Sequence, residues 1–295
     1  MDCFLLPETV SFWYSSLAKK QSTLHEKRVE KSNENLPEHD RPTSTMSGHW
    51  LLAKLGKRVL RPGGKELTLK LLEAGDFAHQ DVVELAPGLG LTAAEILRCR
   101  PKSYRGVDSD PNAASKVNER LNLPDAVLVA DAADTGLPDN STDVVFGEAM
   151  LTMQGEKAKT KIIQEAFRIL RPGGRYIIHE LGLTPDDLSP STKQDIQRAL
   201  AKAIKVNARP LTDAEWRDKL SDTGFAVRDN TLFAPMRLLQ PRRIIADEGL
   251  RGAGRFVFNV LRFPAERRRV LEMRRTFIQH QDSLVAVGMI AVKPQ

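Results

Sequence analysis

From Asp81 onward, short β-rich runs alternate with helical patterns. A strand followed by a helix that covers it, repeated several times, leaves a parallel sheet with helices on both faces as the natural fold. DVVEL (81–85) reads as a buried strand and LTAAEILRCR (91–100) as a helix after a glycine-containing turn. YRGVD (104–108) is the second strand, Pro111 opens the next helix, AVLVA (126–130) is the third strand and TDVVFG (142–147) the fourth. EKAKTKIIQEAFRIL puts Ile162, Ile163, Ala166, Phe167 and Leu170 on one helical face, and Arg171 to Gly174 stop that helix and turn into the strand RYIIHEL. A helical stretch (190–222), a strand near FAVRDNTLF, an arginine-rich insertion and a final apolar run, LVAVGMIAV (284–292), complete the chain, with no internal repeat.

The 295 residues, 41% of them apolar, suffice for one large or two small domains and exclude disorder throughout. No run approaches the roughly eighteen apolar residues of a membrane span. The N-terminus carries Asp2 and Glu8 where a signal peptide would carry basic charge, so the expected location is cytoplasmic. Two cysteines, Cys3 and Cys99, are too few for a disulfide framework or a cysteine metal cage, and no metal site is expected. Residues 1–45 pair a short apolar opening (Phe4, Leu5, Leu6, Phe12, Trp13, Tyr14) with a polar stretch, and are read as a mobile extension before a folded part beginning near Met46. Charge is unevenly spread. Residues 237–275 hold eleven Arg, no Lys and four acids, a charge of +7 within a chain of +6, so the rest of the protein sums to about −1. An anionic partner would be sought first on this segment.

After the first strand, Glu84-Leu85-Ala86-Pro87-Gly88-Leu89-Gly90 forms a tight turn of small residues into a helix. Such a turn lets a ligand approach the backbone and points free helix N–H groups at it. Asp108 ends the second strand, where a carboxylate accepts the hydroxyls of a ribose, and Asp131 follows the third, within reach of an adenine amino group. Taken singly, each acid would be a solvated turn residue or a helix cap. Their placement at the carboxyl ends of consecutive strands argues for one crevice.

On these residues the sequence resembles the class I S-adenosylmethionine-dependent methyltransferases, over roughly residues 46–183 and the last strand. ELAPGLGLTA is similar to the family's cofactor loop, with Ala86 where the family usually has Gly; GVDSDP resembles its ribose-binding strand end; ADAADTGLPDNSTDVVF resembles its adenine segment and fourth strand; ILRPGGRYIIHE resembles its fifth-strand signature. The resemblance implies a Rossmann-like doubly wound α/β sheet of seven strands, mostly parallel with an antiparallel last strand. It implies S-adenosylmethionine as cofactor, with Glu84, Ala86, Gly88 and Gly90 at its methionine end, Asp108 and Ser109 at the ribose, Asp131 and Ala132 at the adenine, and Glu148 to Met150 beside the transferable methyl. A dinucleotide-binding oxidoreductase competes for the same crevice, but the third glycine of its fingerprint is missing after Gly90, where Thr92-Ala93 follow.

Methyl transfer from a sulfonium needs alignment of the nucleophile and exclusion of water; an acceptor protonated at neutral pH also needs a base. His179, at the end of the fifth strand, and Glu148 are the candidate catalytic groups, and a buried, hydrogen-bonded histidine is the alternative for His179. A helical lid (46–75) and the arginine-rich cap (237–281) would set specificity, with His49, Trp50, Met150 and Phe256 as candidate substrate contacts. The expected acceptor is a small apolar or anionic metabolite. The mix of Phe256, Phe258 and Phe263 with Arg255 and Arg262 would equally suit a peripheral contact with anionic membrane or an RNA contact. Arg267 to Arg269 read as a solvated run around a helix. Methylation of exocyclic base nitrogens is disfavoured because GEAMLTMQ stands where a Pro-Pro-aromatic tetrad would, and arsenite methylation because the cysteines are too few. An RNA methyltransferase without the tetrad, and a non-catalytic cofactor-binding module, remain the other readings.

Overall fold

A computed structural model describes residues 36–295, so the apolar opening and most of the polar stretch expected to be mobile lie outside the described residues. Residues 36–45, placed in that same extension from the sequence, pack onto the folded body. Leu36 is buried, the Glu38 carboxylate accepts from Ser47 N at 2.8 Å, and Thr43 Oγ1 donates to Glu266 at 2.9 Å.

The parallel core comprises β1 (Asp81–Leu85), β2 (Ser103–Asp108), β3 (Val127–Val129), β4 (Thr142–Glu148) and β5 (Leu170–Leu183). β9 (Leu284–Val292) pairs antiparallel with β5, and β7 (Ala226–Val227) antiparallel with β9, giving the order β3-β2-β1-β4-β5-β9-β7. The expected seven-strand path is therefore present, and two short strands raise the sheet to nine. β6 (Leu211–Thr212) pairs with Gly182 and Leu183 of β5, and β8 (Leu232–Pro235) lies along β9 beside β7, so the stretch read as one strand near FAVRDNTLF is two. Strand order reverses between β1 and β4, and in open α/β sheets a ligand crevice forms at the carboxyl ends of such strands.

Successive side chains of a strand alternate between faces, and β4 shows why the sheet is covered on both. Val145 joins Val83, Val107 and Ile178 against Ile162, Ile163 and Ala166 of α5 (Glu156–Ile169). Val144 and Phe146 join Val82 and Ile177 against Leu67 and Leu71 of α2 (Gly64–Gly75) and Ile96 of α3 (Leu91–Arg98). Helix α4 (Pro111–Leu121) starts where Asp110 caps Asn112 N and Ala113 N, with proline at its first turn.

A third apolar cluster lies over the carboxyl end of the sheet. It joins α1 (Gly48–Lys54), α6 (Pro190–Ile204), α8 (Pro241–Arg262) and α9 (Pro264–Gln279) through Met46, Leu51, Leu200, Phe256, Met273 and Phe277; α7 (Asp213–Ser221) sits instead with the α5 face. The arginine-rich insertion is thus the helix pair α8 and α9, and α8 is bent at Gly249, whose φ is 71°. Arg269 departs from the solvated reading: it is buried and donates to Thr43 O at 2.6 Å and to Met46 O and Ala203 O at 3.3 Å, because its position on α9 faces the carbonyls at the start of the fold and the end of α6. Arg267 and Arg268 are exposed. Among the described residues no helix is long and apolar enough to cross a membrane.

Candidate active site

The turn from β1 to α3 is built from left-handed backbone, with φ of 53° at Ala86, 57° at Gly88 and 69° at Gly90. Ala86 N donates to Val107 O at 2.8 Å, which fixes the turn to the end of β2. The two glycines have different reasons. A Cβ on Gly88 would meet nothing closer than Ala86 O at 3.9 Å, so its face is open to a ligand, whereas a Cβ on Gly90 would press on Val117 of α4 at 3.1 Å. Ala86 carries a side chain in a conformation that favours glycine, and stores strain there.

Around this turn lies a crevice of about 860 Å³, the size range of cofactor sites. Glu84, Ala86, Gly88, Asp108, Ser109, Asp131, Ala132 and Glu148 of the expected cofactor set line it, as do His49, Trp50 and Met150 of the expected substrate set. Gly90 stands behind the lining, in the packing of α3 on α4. Phe256 is not brought to the crevice: α8 turns it inward, where it is buried among the cap's apolar residues. His179 also lies outside the lining.

Glu84 is buried, and burial, with the charges of Glu148 and Asp108 adding to it, pushes its carboxyl up to about 8 against the hydrogen bond from Tyr104 Oη at 2.6 Å. Burial also raises Asp108, opposed by backbone N–H groups of Asp110, Gly88 and Ser109. Asp131 Oδ1 accepts from Ala133 N at 2.8 Å, which orients the carboxylate at the crevice edge.

Glu148 is the hub of a buried network. Its Oε1 accepts from Thr68 Oγ1 at 2.6 Å and faces His179 Nδ1 at 2.8 Å; its Oε2 accepts from Thr92 Oγ1 at 2.6 Å and pairs with Arg61 Nη1 at 3.1 Å. Burial alone would raise this carboxyl, but Arg61 and His179 overcome it and hold it at about 2. His179 Nε2 lies 2.6 Å from Pro62 O, so both ring nitrogens of this fully buried histidine face acceptors, the carbonyl and the Glu148 carboxylate, and neither is turned to the crevice. Arg61 and Pro62 belong to an RPGG stretch that carries no periodicity and recurs at Arg171 to Gly174 in a different context, so the sequence did not point to them. Tyr104, Thr68 and Thr92 gave no signal, since hydroxyl partners of a buried acid follow from packing.

A small apolar chamber of about 70 Å³, sharing His49, Leu60 and Met153 with the crevice, lies among α1, α9 and the segment before α8, walled by Met236, Leu238, Met273 and Phe277. His49 is half-buried at the junction, and burial, opposed by the charge of Glu38, lowers its imidazole to about 4.

The residues present fit an adenosine-bearing sulfonium cofactor: open backbone at Gly88 and three carboxylates, buried at Glu84, half-buried at Asp108 and exposed at Asp131, ring a single crevice. Comparison with known proteins agrees. A family model described as a methyltransferase domain matches residues 83–178. An uncharacterised protein of Haemophilus influenzae is 36% identical over 254 residues, 84% of this chain and 97% of that protein. A probable S-adenosylmethionine-dependent methyltransferase of Mycolicibacterium smegmatis is 28% identical over 152 residues, 52% of this chain and 54% of that protein. Phosphoethanolamine N-methyltransferase 2 of Haemonchus contortus, solved with phosphomonomethylethanolamine and S-adenosylhomocysteine, shares the fold at a TM-score of 0.63 and 21% identity over 87% of this chain and 59% of that one. The chain belongs to the class I S-adenosylmethionine-dependent methyltransferases. It is an enzyme, and its cofactor is S-adenosylmethionine.

Proposed function

We propose that the enzyme methylates a small molecule whose apolar end enters the chamber beyond His49 and whose acceptor atom lies in the crevice beside Met150. The observation that carries this reading is that the crevice shares His49, Leu60, Ala149 and Met153 with a chamber walled by Met236, Leu238, Met273 and Phe277. At about 70 Å³, it has room for roughly two or three non-hydrogen atoms, given that a liquid water takes about 30 Å³.

When bound, the cofactor supplies a methyl group on a positively charged sulfur that becomes neutral on transfer. The chain's contributions are binding and alignment. Asp108, which lines the crevice, would accept the ribose hydroxyls, Asp131 and the backbone at Ala132 would hold the adenine, and Glu84 with the Gly88 turn would receive the methionine end. His49, neutral at pH 7, accepts a hydrogen bond from the acceptor's N–H or O–H and fixes its angle of approach; a group titrating near 4 does not keep that proton, which passes to solvent water once the methyl group has been transferred. Glu148 and His179, the groups first considered as bases, are assigned to positioning: their network ties β4 and β5 to the lid and sets the floor beneath the reacting atoms.

The test is methyl transfer to a panel of small amines, phenols and acids with an apolar end, followed by mass spectrometry. Leu238→Trp, which fills the chamber, is expected to lower turnover at least tenfold with cofactor affinity unchanged. Full turnover in that variant on every accepted substrate would refute the assignment.

A further inference from the structure

Residues 250–262 of α8 are helical and half-exposed. At 100° per residue, Leu250, Val257 and Leu261 fall in one stripe roughly 40° wide, and Arg251 and Arg255 in the stripe beside it. The apolar three are 78%, 49% and 61% exposed, unlike Ala253 and Phe256, which are buried on the adjoining face of the same helix. Next to the arginine stripe, α8 and α4 enclose a groove of about 830 Å³ that adjoins the cofactor crevice at Arg58 and Leu89. Lys116, Arg120, Arg251 and Arg255 line it, and among the described residues none of these four has a hydrogen bond or an ion pair within 4 Å. Two acids line it as well. Glu248 is already engaged by Arg58 at 3.0 Å and by the backbone of Arg58 and Val59, which leaves Glu119 alone against four cations.

We propose that the outer face of α8 and this groove dock on a membrane surface of anionic phospholipid, with Leu250, Val257 and Leu261 entering the interface and the four cations taking lipid phosphates. Among the described residues each half of the arrangement lacks a partner, and a bilayer surface offers apolar and anionic chemistry side by side at this spacing. An RNA would satisfy the groove but give the apolar stripe nothing; a second copy of the chain would cover the stripe but bring more arginine to the groove. The docking would set the crevice mouth against the lipid, from which an acceptor with an apolar end can enter.

The test is sedimentation of the full-length protein with vesicles of phosphatidylcholine, alone or mixed with phosphatidylglycerol. Binding to the mixed vesicles and little to the neutral ones is expected, with a loss of about a hundredfold or more in Arg251→Glu/Arg255→Glu and of about tenfold in Leu250→Ser/Leu261→Ser. Unchanged melting temperature and cofactor affinity verify that the variants are folded, and the comparison of the two vesicle types needs no variant. Equal or absent binding of the wild type to both vesicles would overturn the proposal. So would undiminished vesicle binding by either double variant, tight salt-dependent binding of bulk RNA without vesicle binding, or self-association abolished by Leu261→Asp. Because the readout is vesicle binding, its failure leaves the methyl-transfer reading untouched.

Discussion

His179 Nδ1 lies 2.8 Å from Glu148 Oε1, while the second oxygen of that carboxylate lies 3.1 Å from Arg61 Nη1. One buried acid thus joins β4, β5, α2 and the segment before it beneath the crevice. Removing one partner of such a group leaves uncompensated buried charge, and Glu148→Gln is expected to cost about 3–5 kcal/mol in denaturant unfolding. A carboxyl held at about 2, against an ordinary 4.5, favours the fold only while ionised. Its contribution, about 3 kcal/mol, is fully present above pH 4.5 and lost as pH falls toward 2. The Gln variant should lack that acid-limb loss.

The opposite sign applies to Glu84. Its carboxyl is raised to about 8, so the folded protein holds a proton that the unfolded chain gives up near 4.5. This contribution is complete below pH 4.5 and disappears as pH rises toward 8. Thermal unfolding of Glu84→Gln should show a flatter profile over that window than the wild type. Since the cofactor's amino group favours the ionised form, cofactor affinity of the wild type should rise toward pH 8 and that of Glu84→Gln should not.

Ala86 adopts a φ of 53° at a position the family usually gives to glycine. Ala86→Gly is expected to stabilise the protein by about 0.5–1 kcal/mol, the relief of left-handed strain less the added flexibility of the unfolded chain. Differential scanning calorimetry reads this as a small rise in melting temperature; a fall would show that the methyl group's packing outweighs the strain.

The two histidines should separate cleanly. His49→Ala is expected to lower turnover about tenfold with cofactor affinity and stability nearly unchanged, through loss of one orienting hydrogen bond to the acceptor. His179→Ala leaves Pro62 O and Glu148 short of a partner and should cost about 2–4 kcal/mol of stability, measured by urea unfolding. If His179→Ala folds with wild-type stability and only turnover falls, His179 is the base after all.

Much of the fold was legible because its signals are local. Five parallel strands, the turn at 84–90 and the acids at Asp108 and Asp131 each follow from a short run of residues, and the structure brings those acids to one crevice. What was not legible depends on long-range packing. The apolar pattern that made Phe256 a candidate substrate contact is also the pattern of a core residue, and only the docking of α8 decides which face is inward. Arg269 looks like its neighbours Arg267 and Arg268 in sequence, yet three backbone carbonyls from two distant segments, residues 43–46 and the end of α6, surround it. The bonds of His179 to Pro62 and Glu148 span 117 and 31 residues, beyond any pattern of spacing.

Everything proposed for the site requires that Asp108 grip the same molecule as the turn at Gly88. Isothermal titration calorimetry with S-adenosylmethionine measures this directly. The wild type should bind with one site, and Asp108→Ala should lose about 1–3 kcal/mol, the range for a hydrogen bond to a charged acceptor, with its melting temperature preserved. No heat with the wild type, or equal affinity in the folded Asp108→Ala variant, would contradict it.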